Sequence, residues 1–393
     1  MKKPLVPFTL LIFIMLSQGT SGQDTAVTSK VTSSLLKADS ITQAVVKQYL
    51  DRWENLKIGF YVDVYSVLPF NRNISDTGNL IPFSSNCPVY NQIRLNVAGI
   101  EVVYKSDKVR GEVVLQFGDQ PNLLKVPDQQ FIANIRKANL GVRLWKGLWV
   151  DVGYMFSPTG YESSWPVSNE ISHVTTGGYF EPGSILGVKV YYIFSPKLMV
   201  AIYAANPYTL AYGKNTHWSL WTQIKYSPLQ NLSLSLATQI GNQALKDADV
   251  DNDLFYSNLY VVYYPIHRLQ LVGQLDFACQ TNSRMTPNDN KTATMFSGFL
   301  QAKYTFNRFI AITTRYEFFN DYDGFLSGIY FYDNKIRGLL MNGFSGGIEF
   351  KPTQNLYFRS EYRFLAADQS NNVFFSGTYD YLEAVYLTTG LKF

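Results

Sequence analysis

The 393-residue chain carries a net charge of +4, and only 16% of its residues are charged, against roughly 25% in ordinary soluble domains. Aromatic residues also reach 16%, with 28 Tyr and 27 Phe, a poor composition for a hydrated surface. The small charge excess leaves no nucleic-acid footprint, and past the N-terminus no apolar run approaches the ~20 residues of a spanning helix, which excludes a helical membrane protein.

The first segment, MKKPLVPFTLLIFIMLSQGTSGQ, has a basic start, a short apolar stretch and small residues Thr20 and Gly22 placed for cleavage before Gln23. These are the parts of a secretory signal peptide over residues 1–22. No Cys follows the apolar run, so a lipoprotein anchor is not expected. Residues 23–55 form an extension, periplasmic or plug-like. Its start is Ser/Thr-rich, then Ser40 and Gln43 form a capping box, and Ile41, Val45, Tyr49 and Trp53 recur every four residues, which predicts a short amphipathic helix.

From Leu56 to Phe393 the chain is repetitive. Five junctions, at residues 191–203, 225–236, 262–272, 304–313 and 350–360, run aromatic residue, tight turn, alternating strand. Proline in such a turn fixes φ and cannot join a ladder, so it is expected to end the pairing. Short connections are predicted near Ser106–Lys108, Lys146–Gly147, Ser195–Lys197, Ser227–Asn231, Pro265–Arg268, Phe306–Arg308 and Pro352–Asn355. Long polar ones alternate with them, over about 71–90, 119–135, 158–182, 207–215, 242–253, 280–292, 320–338 and 368–379. This predicts an all-β protein, a transmembrane up-and-down antiparallel β-barrel of about 16 strands with a short N-terminal helix, since loops sorted by length mark the two sides of a membrane.

The faces agree with that reading. Ile310, Ile312, Thr314, Tyr316 and Phe318 alternate with Thr313, Arg315 and Glu317, and Phe358, Tyr362 and Phe364 alternate with Arg359, Glu361 and Arg363. A charge on a dry face costs several kcal/mol without a partner, so the apolar face is expected to meet lipid and the charged face water in a lumen. The expected pore-lining residues are Arg110, Arg143, Lys189, Lys225, Lys303, Arg315, Arg359 and Arg363 against Asp63, Glu112, Asp151, Asp276, Glu317, Glu349 and Glu361. Their near balance predicts weak ion selectivity. Tyr192, Phe194, Tyr226, Tyr263, Tyr264, Tyr304, Phe306 and Phe350 precede short turns and predict an interfacial girdle. Val385, Leu387, Leu391 and Phe393 share a face, and an aromatic end to an alternating strand resembles the signal read by the barrel-assembly machinery.

No catalytic residues, metal site or cofactor are expected. His173, His217 and His267 are scattered, and Cys87 and Cys279 cannot make a disulfide framework. Asp247, Asp249, Asp251 and Asp253 resemble the start of a calcium loop but lack its Gly and closing Glu; a weak cation or lipopolysaccharide-bridging contact is the alternative to a solvated acidic loop.

The stretch LGVRLWKGLWVDVGYMFSPTGYESSWPVSN, followed by a loop and GVKVYYIFSPKLMVAIYAANPY, resembles the OmpL-like beta-barrel porin family of Bacteroidota-type bacteria, with Gly153, Pro158, Gly160 and Glu162 matching its loop pattern. The resemblance implies a diffusion channel without catalytic residues, in the outer membrane of a Gram-negative cell. The expected function is a porin passing small hydrophilic solutes through a water-filled, mixed-charge lumen; the alternative is a surface adhesion or receptor barrel acting through its long loops. Expected partners are outer-membrane lipid and lipopolysaccharide, the assembly machinery through Phe393 and the solutes themselves, with a homo-oligomer left open.

Overall fold

Alternating apolar and polar side chains favour strands, and β-branched and aromatic residues fill the pleats. The computed structural model describes residues 54–71, 79–123, 133–206, 217–245, 248–285, 289–332, 335–368, 373–375 and 377–393; the expected signal peptide, the expected N-terminal helix and Asp247 lie outside them. The strands are β1 (Leu56–Pro69), β2 (Ile93–Lys105), β3 (Val109–Phe117), β4 (Ile135–Trp145), β5 (Leu148–Phe156), β6 (Ser184–Ser195), β7 (Leu198–Ala205), β8 (Ser219–Leu229), β9 (Leu232–Asn242), β10 (Asp253–Ile266), β11 (Leu269–Gln280), β12 (Ala293–Thr305), β13 (Ile310–Asn320), β14 (Tyr330–Tyr332), β15 (Lys335–Arg337), β16 (Leu340–Phe350), β17 (Leu356–Ala367) and β18 (Tyr381–Lys392).

All but β14 and β15 close into one antiparallel barrel, each strand pairing with its neighbour in sequence and β1 with β18. This is the sixteen-strand meander predicted from the sequence. The extra pair β14 and β15 forms a small hairpin within one long connection. Closure leaves no edge strand, so backbone groups that lipid cannot satisfy are paired around the ring.

The face assignment holds strand by strand. On β13, Ala311, Thr313, Arg315, Glu317 and Phe319 are buried inside, while Ile310, Ile312, Thr314 and Tyr316 are exposed outside. The same parity puts Phe358 and Phe364 outside on β17 and Arg359, Glu361 and Arg363 inside. Tyr192, Phe194, Tyr226, Tyr263, Tyr264, Tyr304, Phe306 and Phe350 are all exposed at the short-turn end.

Two details differ from expectation. Proline ends the pairing at Pro196 and Pro352, just past β6 and β16, but not at Pro228 and Pro265, where the register skips between Tyr226 and Leu229, and between Tyr263 and Ile266, and then resumes. Pro228 and Pro265 therefore sit in bulges, where a residue without an N–H removes no ladder bond. The interior is also not polar throughout. Tyr65, Tyr256, Phe319, Met341, Leu365 and Tyr386 on inner faces pack with Ile81, Tyr90, Phe374 and Phe375 of the long connections in one apolar cluster.

Candidate functional site

The interior is organised by the connection from β5 to β6, residues 157–183. It was expected as an outer loop; it folds inward across the barrel instead. The loop contains no Lys or Arg, so its cationic partners all come from the wall. Gly160 takes φ +79°, a left-handed conformation open to glycine. The turn there lets Gly160 N donate to Asn258 Oδ1 at 3.1 Å and Tyr161 N to Gln274 Oε1 at 2.8 Å. Glu162 then accepts from Thr175 N and Oγ1 at 2.9 and 2.5 Å, tying the loop to itself, and pairs with Arg315 Nη1 at 2.7 Å.

Further along, Trp165 lies against Tyr61, ring centroids 5.0 Å apart, and Nε1 donates to Gln116 Oε1 at 3.2 Å. Its indole occupies the space a Cβ on Gly99 would need. Arg359 reaches up from β17 to the carbonyls of Pro166 and Asn169 at 2.9 and 2.6 Å while pairing with Glu349 at 2.7 Å. Thr176 N donates to Glu317 Oε2 at 2.6 Å, and Phe180 stacks on Phe319 at 4.9 Å. Small residues on β16 make room for these wall charges. Gly343 stands opposite Glu317 on one side and Leu365 on the other, and a side chain there would strike Glu317. Glu317 thus crosses β16 to bond Arg363 at 3.0 Å.

His173 sits beneath the loop with Nε2 2.9 Å from Ser345 Oγ and Nδ1 3.2 Å from Glu361 Oε2. Burial, with Arg363 and Arg315 nearby, pushes the imidazole well below its ordinary range, so it is neutral and can accept from the serine and donate to the carboxylate. That is the order of a nucleophilic triad. All three side chains are sealed from solvent, and Glu361 also accepts Ser172 N at 2.8 Å. The arrangement is a latch between loop and wall.

The fifteen charges singled out from the sequence all lie on inner positions but divide into two groups. Asp63, Asp276, Arg315, Glu317, Glu349, Arg359, Glu361 and Arg363 are almost wholly buried, covered by the loop or by inner-face neighbours instead of facing an open, wet lumen. Asp63 accepts from Asn96 and Tyr357, and Asp276 from Tyr256 and Asn258 at 2.7 and 2.5 Å. The second group occupies β3 to β8 and β12. Arg110 and the buried Asp151 pair at 2.5 Å, Glu112 pairs with Lys137 at 3.0 Å and Lys303 with Glu349 at 2.9 Å; Arg143, Lys189 and Lys225 make no ion pair among the described residues.

Several contributors escaped sequence reasoning. Lys137 could have been found, since it keeps step with Asn139, Gly141 and Arg143. Glu162 stood out only as part of the family loop pattern and His173 only as a scattered histidine, while Glu181 lies in a segment without periodicity and carried no local signal. Glu181 lies partly buried beside Gln274, and desolvation, with Asp276 close by, holds its carboxyl well above the usual range. Cys87 and Cys279 are free thiols. No cluster of three or more metal-ligating side chains occurs among the described residues; in the acidic loop Asp251 accepts from Asn242 at 2.5 Å.

The closed sixteen-strand barrel superposes on solved outer-membrane proteins. The outer membrane channel DcaP of Acinetobacter baumannii superposes with a TM-score of 0.59 at 13% identity, covering 86% of this chain and 97% of that one. OmpF of Salmonella typhi, solved in complex with daunomycin, gives 0.59 at 12% over 86% and 97%. OmpT of Vibrio cholerae in its trimer form gives 0.54 at 10% over 86% and 99%. At these identities the likeness is one of fold. No curated protein matches the chain. A family model does, over residues 55–393, and the chain accordingly belongs to the family described as "Putative beta-barrel porin-2, OmpL-like".

Proposed function

We propose that this outer-membrane porin passes small hydrophilic solutes along the part of its interior that the inward loop leaves uncovered, the short-turn half of the inner faces of β3 to β8. The observation that carries this is the division of the inner charges. Those on β13, β16 and β17 are tied to the loop, whereas Arg110, Glu112, Arg143, Lys189 and Lys225 keep partial or full exposure. The first set shapes the passage and the second lines it. Passage needs no chemistry, and the reading assigns no enzymatic role. The Ser345–His173–Glu361 latch should therefore resist labelling by a fluorophosphonate in the folded barrel.

The remaining partners follow from the surface. The exposed aromatic belt and the outward aliphatic faces suit lipid, with lipopolysaccharide at the long-loop side. Export through a cleaved signal peptide, delivery to the assembly machinery through the strand ending at Phe393, and association of copies, as in the trimer form of the Vibrio cholerae protein, complete the reading. The test is single-channel recording of the refolded chain. Discrete conductance steps are expected. A heat-modifiable barrel that gives no steps would refute passage and return function to the long loops.

A further inference from the structure

We propose that the short-turn half of the wall of β3 to β8 is a path for small anions, solutes bearing a carboxylate or phosphate, so that the channel prefers anions despite its balanced composition. The inference rests on the porin reading above and names the solute class for it.

The balance of charges counted along the sequence does not survive folding. Of the seven expected acids, six are buried: Asp63, Asp151, Asp276, Glu317, Glu349 and Glu361. The seventh, Glu112, is half-buried and holds Lys137 with both oxygens, at 3.0 and 3.2 Å. Arg315, Arg359 and Arg363 are buried with those acids. Beyond the Glu112–Lys137 pair, the charges that remain accessible on the inner faces of β3 to β8 are cationic: Arg110, Arg143, Lys189 and Lys225, with the covered carboxylate of Asp151 as their counter-charge.

The register places these cations in a descending series. Arg110 pairs in register with Gly141, and that residue with Asp151 and then Lys189 across β3, β4, β5 and β6. A side chain on Gly141 would collide with both Asp151 and Arg110, so the glycine is what lets the arginine lie across its neighbouring strand. Arg143 faces Trp149 and Tyr191 one inner row nearer the short turns, and Lys225 lies level with Met199 and Ile193 a row further on. With strands ~4.8 Å apart, Arg143 lies one strand from Arg110 and two from Lys189, roughly 5–10 Å across the sheet and on the order of the ~8 Å Debye length at physiological salt. Their fields therefore overlap into a continuous positive stripe.

Aromatic rings fix this stripe without competing for solute. The Arg110 guanidinium lies 4.7 Å from the Trp149 ring centre and 5.1 Å from that of Tyr191, and Lys189 Nζ lies 4.7 and 5.2 Å from those of Tyr191 and Tyr203. Trp149, Tyr191 and Tyr203 are themselves at most 8% exposed. They hold the cations in place and offer no face on which a solute ring could stack. Other carboxylates that stay partly accessible lie elsewhere: Glu170 and Glu181, on the loop, are bonded to Gln301 of β12 and Gln274 of β11, and Glu101 is on β2.

The experiment is the reversal potential of the refolded full chain in a bilayer under a KCl gradient. The expected sign is that of chloride preference, shrinking in 1 M salt, where the Debye length falls to ~3 Å. Lys189→Gln, Lys225→Gln and Arg143→Gln should each shift the potential toward zero, and the three together should abolish or invert the preference. Benzoate and acetate should be favoured alike over matched neutral solutes. Heat-modifiable mobility confirms that each variant is a folded barrel. Normal conductance with no preference, or with cation preference, overturns the anion path and leaves the porin reading standing. Absence of conductance in the unmodified chain overturns the porin reading itself.

Discussion

Arg359→Met isolates the attachment of the inward loop. The guanidinium makes three bonds to the loop, to Pro166 O at 2.9 Å, Asn169 O at 2.6 Å and Ser172 Oγ at 3.2 Å, from a fully buried position. Glu349 would not be orphaned by the change, because Lys303 and Lys351 remain 2.9 and 3.3 Å away. The loss therefore falls on the loop. Charge-assisted bonds contribute roughly 1.5–3 kcal/mol each and are not additive, so removing this set should cost about 3–5 kcal/mol, the range for breaking a buried pair. That raises the opening equilibrium of the loop by roughly a hundred- to several-thousand-fold. The barrel ladder is untouched, so heat-modifiable mobility should persist. Single-channel conductance should rise, and chymotrypsin, which has Tyr161, Tyr179 and Phe180 to attack in a loop that trypsin cannot cut, should nick the variant faster. Arg359→Lys keeps the charge without the planar fork and should fall between the two. Unchanged conductance and unchanged cleavage in the methionine variant would refute the assignment of Arg359 as the loop's main anchor.

Glu181 gives the loop a pH dependence. Burial raises its carboxyl above the unfolded value, so between those two values the docked loop holds a proton that the released loop gives up, and docking weakens as pH rises through that window. Hydrogen exchange of loop amides, corrected for intrinsic rate, should show this as pH rises above the ordinary carboxylate range, and Glu181→Gln should reduce it; an equal pH response in both proteins would contradict the mechanism. Gly99→Ala places a methyl group where the Trp165 indole lies and should destabilise loop docking by about 1–3 kcal/mol, read as a lower thermal midpoint and faster chymotryptic cleavage. A midpoint equal to that of the parent would show that the indole can move aside without loss.

The wall was legible in the sequence because its signal is local. Ile310 to Phe318 alternate with Thr313, Arg315 and Glu317 within a few residues, and lipid on one side allows no error of register. The short connections followed from Gly147 and the aromatic–turn junctions. What could not be read was which inward charges are covered. Arg315 and Lys225 look alike in sequence, each at an inner position of a strand rich in outward aliphatics, yet Arg315 is sealed by Glu162 and His173, more than 140 positions away, and Lys225 is not. Periodicity says which way a side chain points and is silent about what packs on it. The same gap bears on selectivity, because a count of charges does not say which of them are already paired. Pro228 and Pro265 misled for another reason: proline removes a donor, and at a bulge no donor was required.

The seam between β1 and β18 joins the two most distant strands of the wall. Phe60 and Phe393 exchange backbone bonds, Phe60 N to Phe393 O at 2.7 Å and Phe393 N to Phe60 O at 3.0 Å, and their rings stack 5.4 Å apart. A meander can zip hairpin by hairpin, but this join spans the whole sheet and pays its ordering entropy in one step. Until it forms, two bare margins would face hydrocarbon. Membrane insertion is thereby coupled to arrival of the final hairpin, and any shortened product of the wall is committed to remaining outside the bilayer.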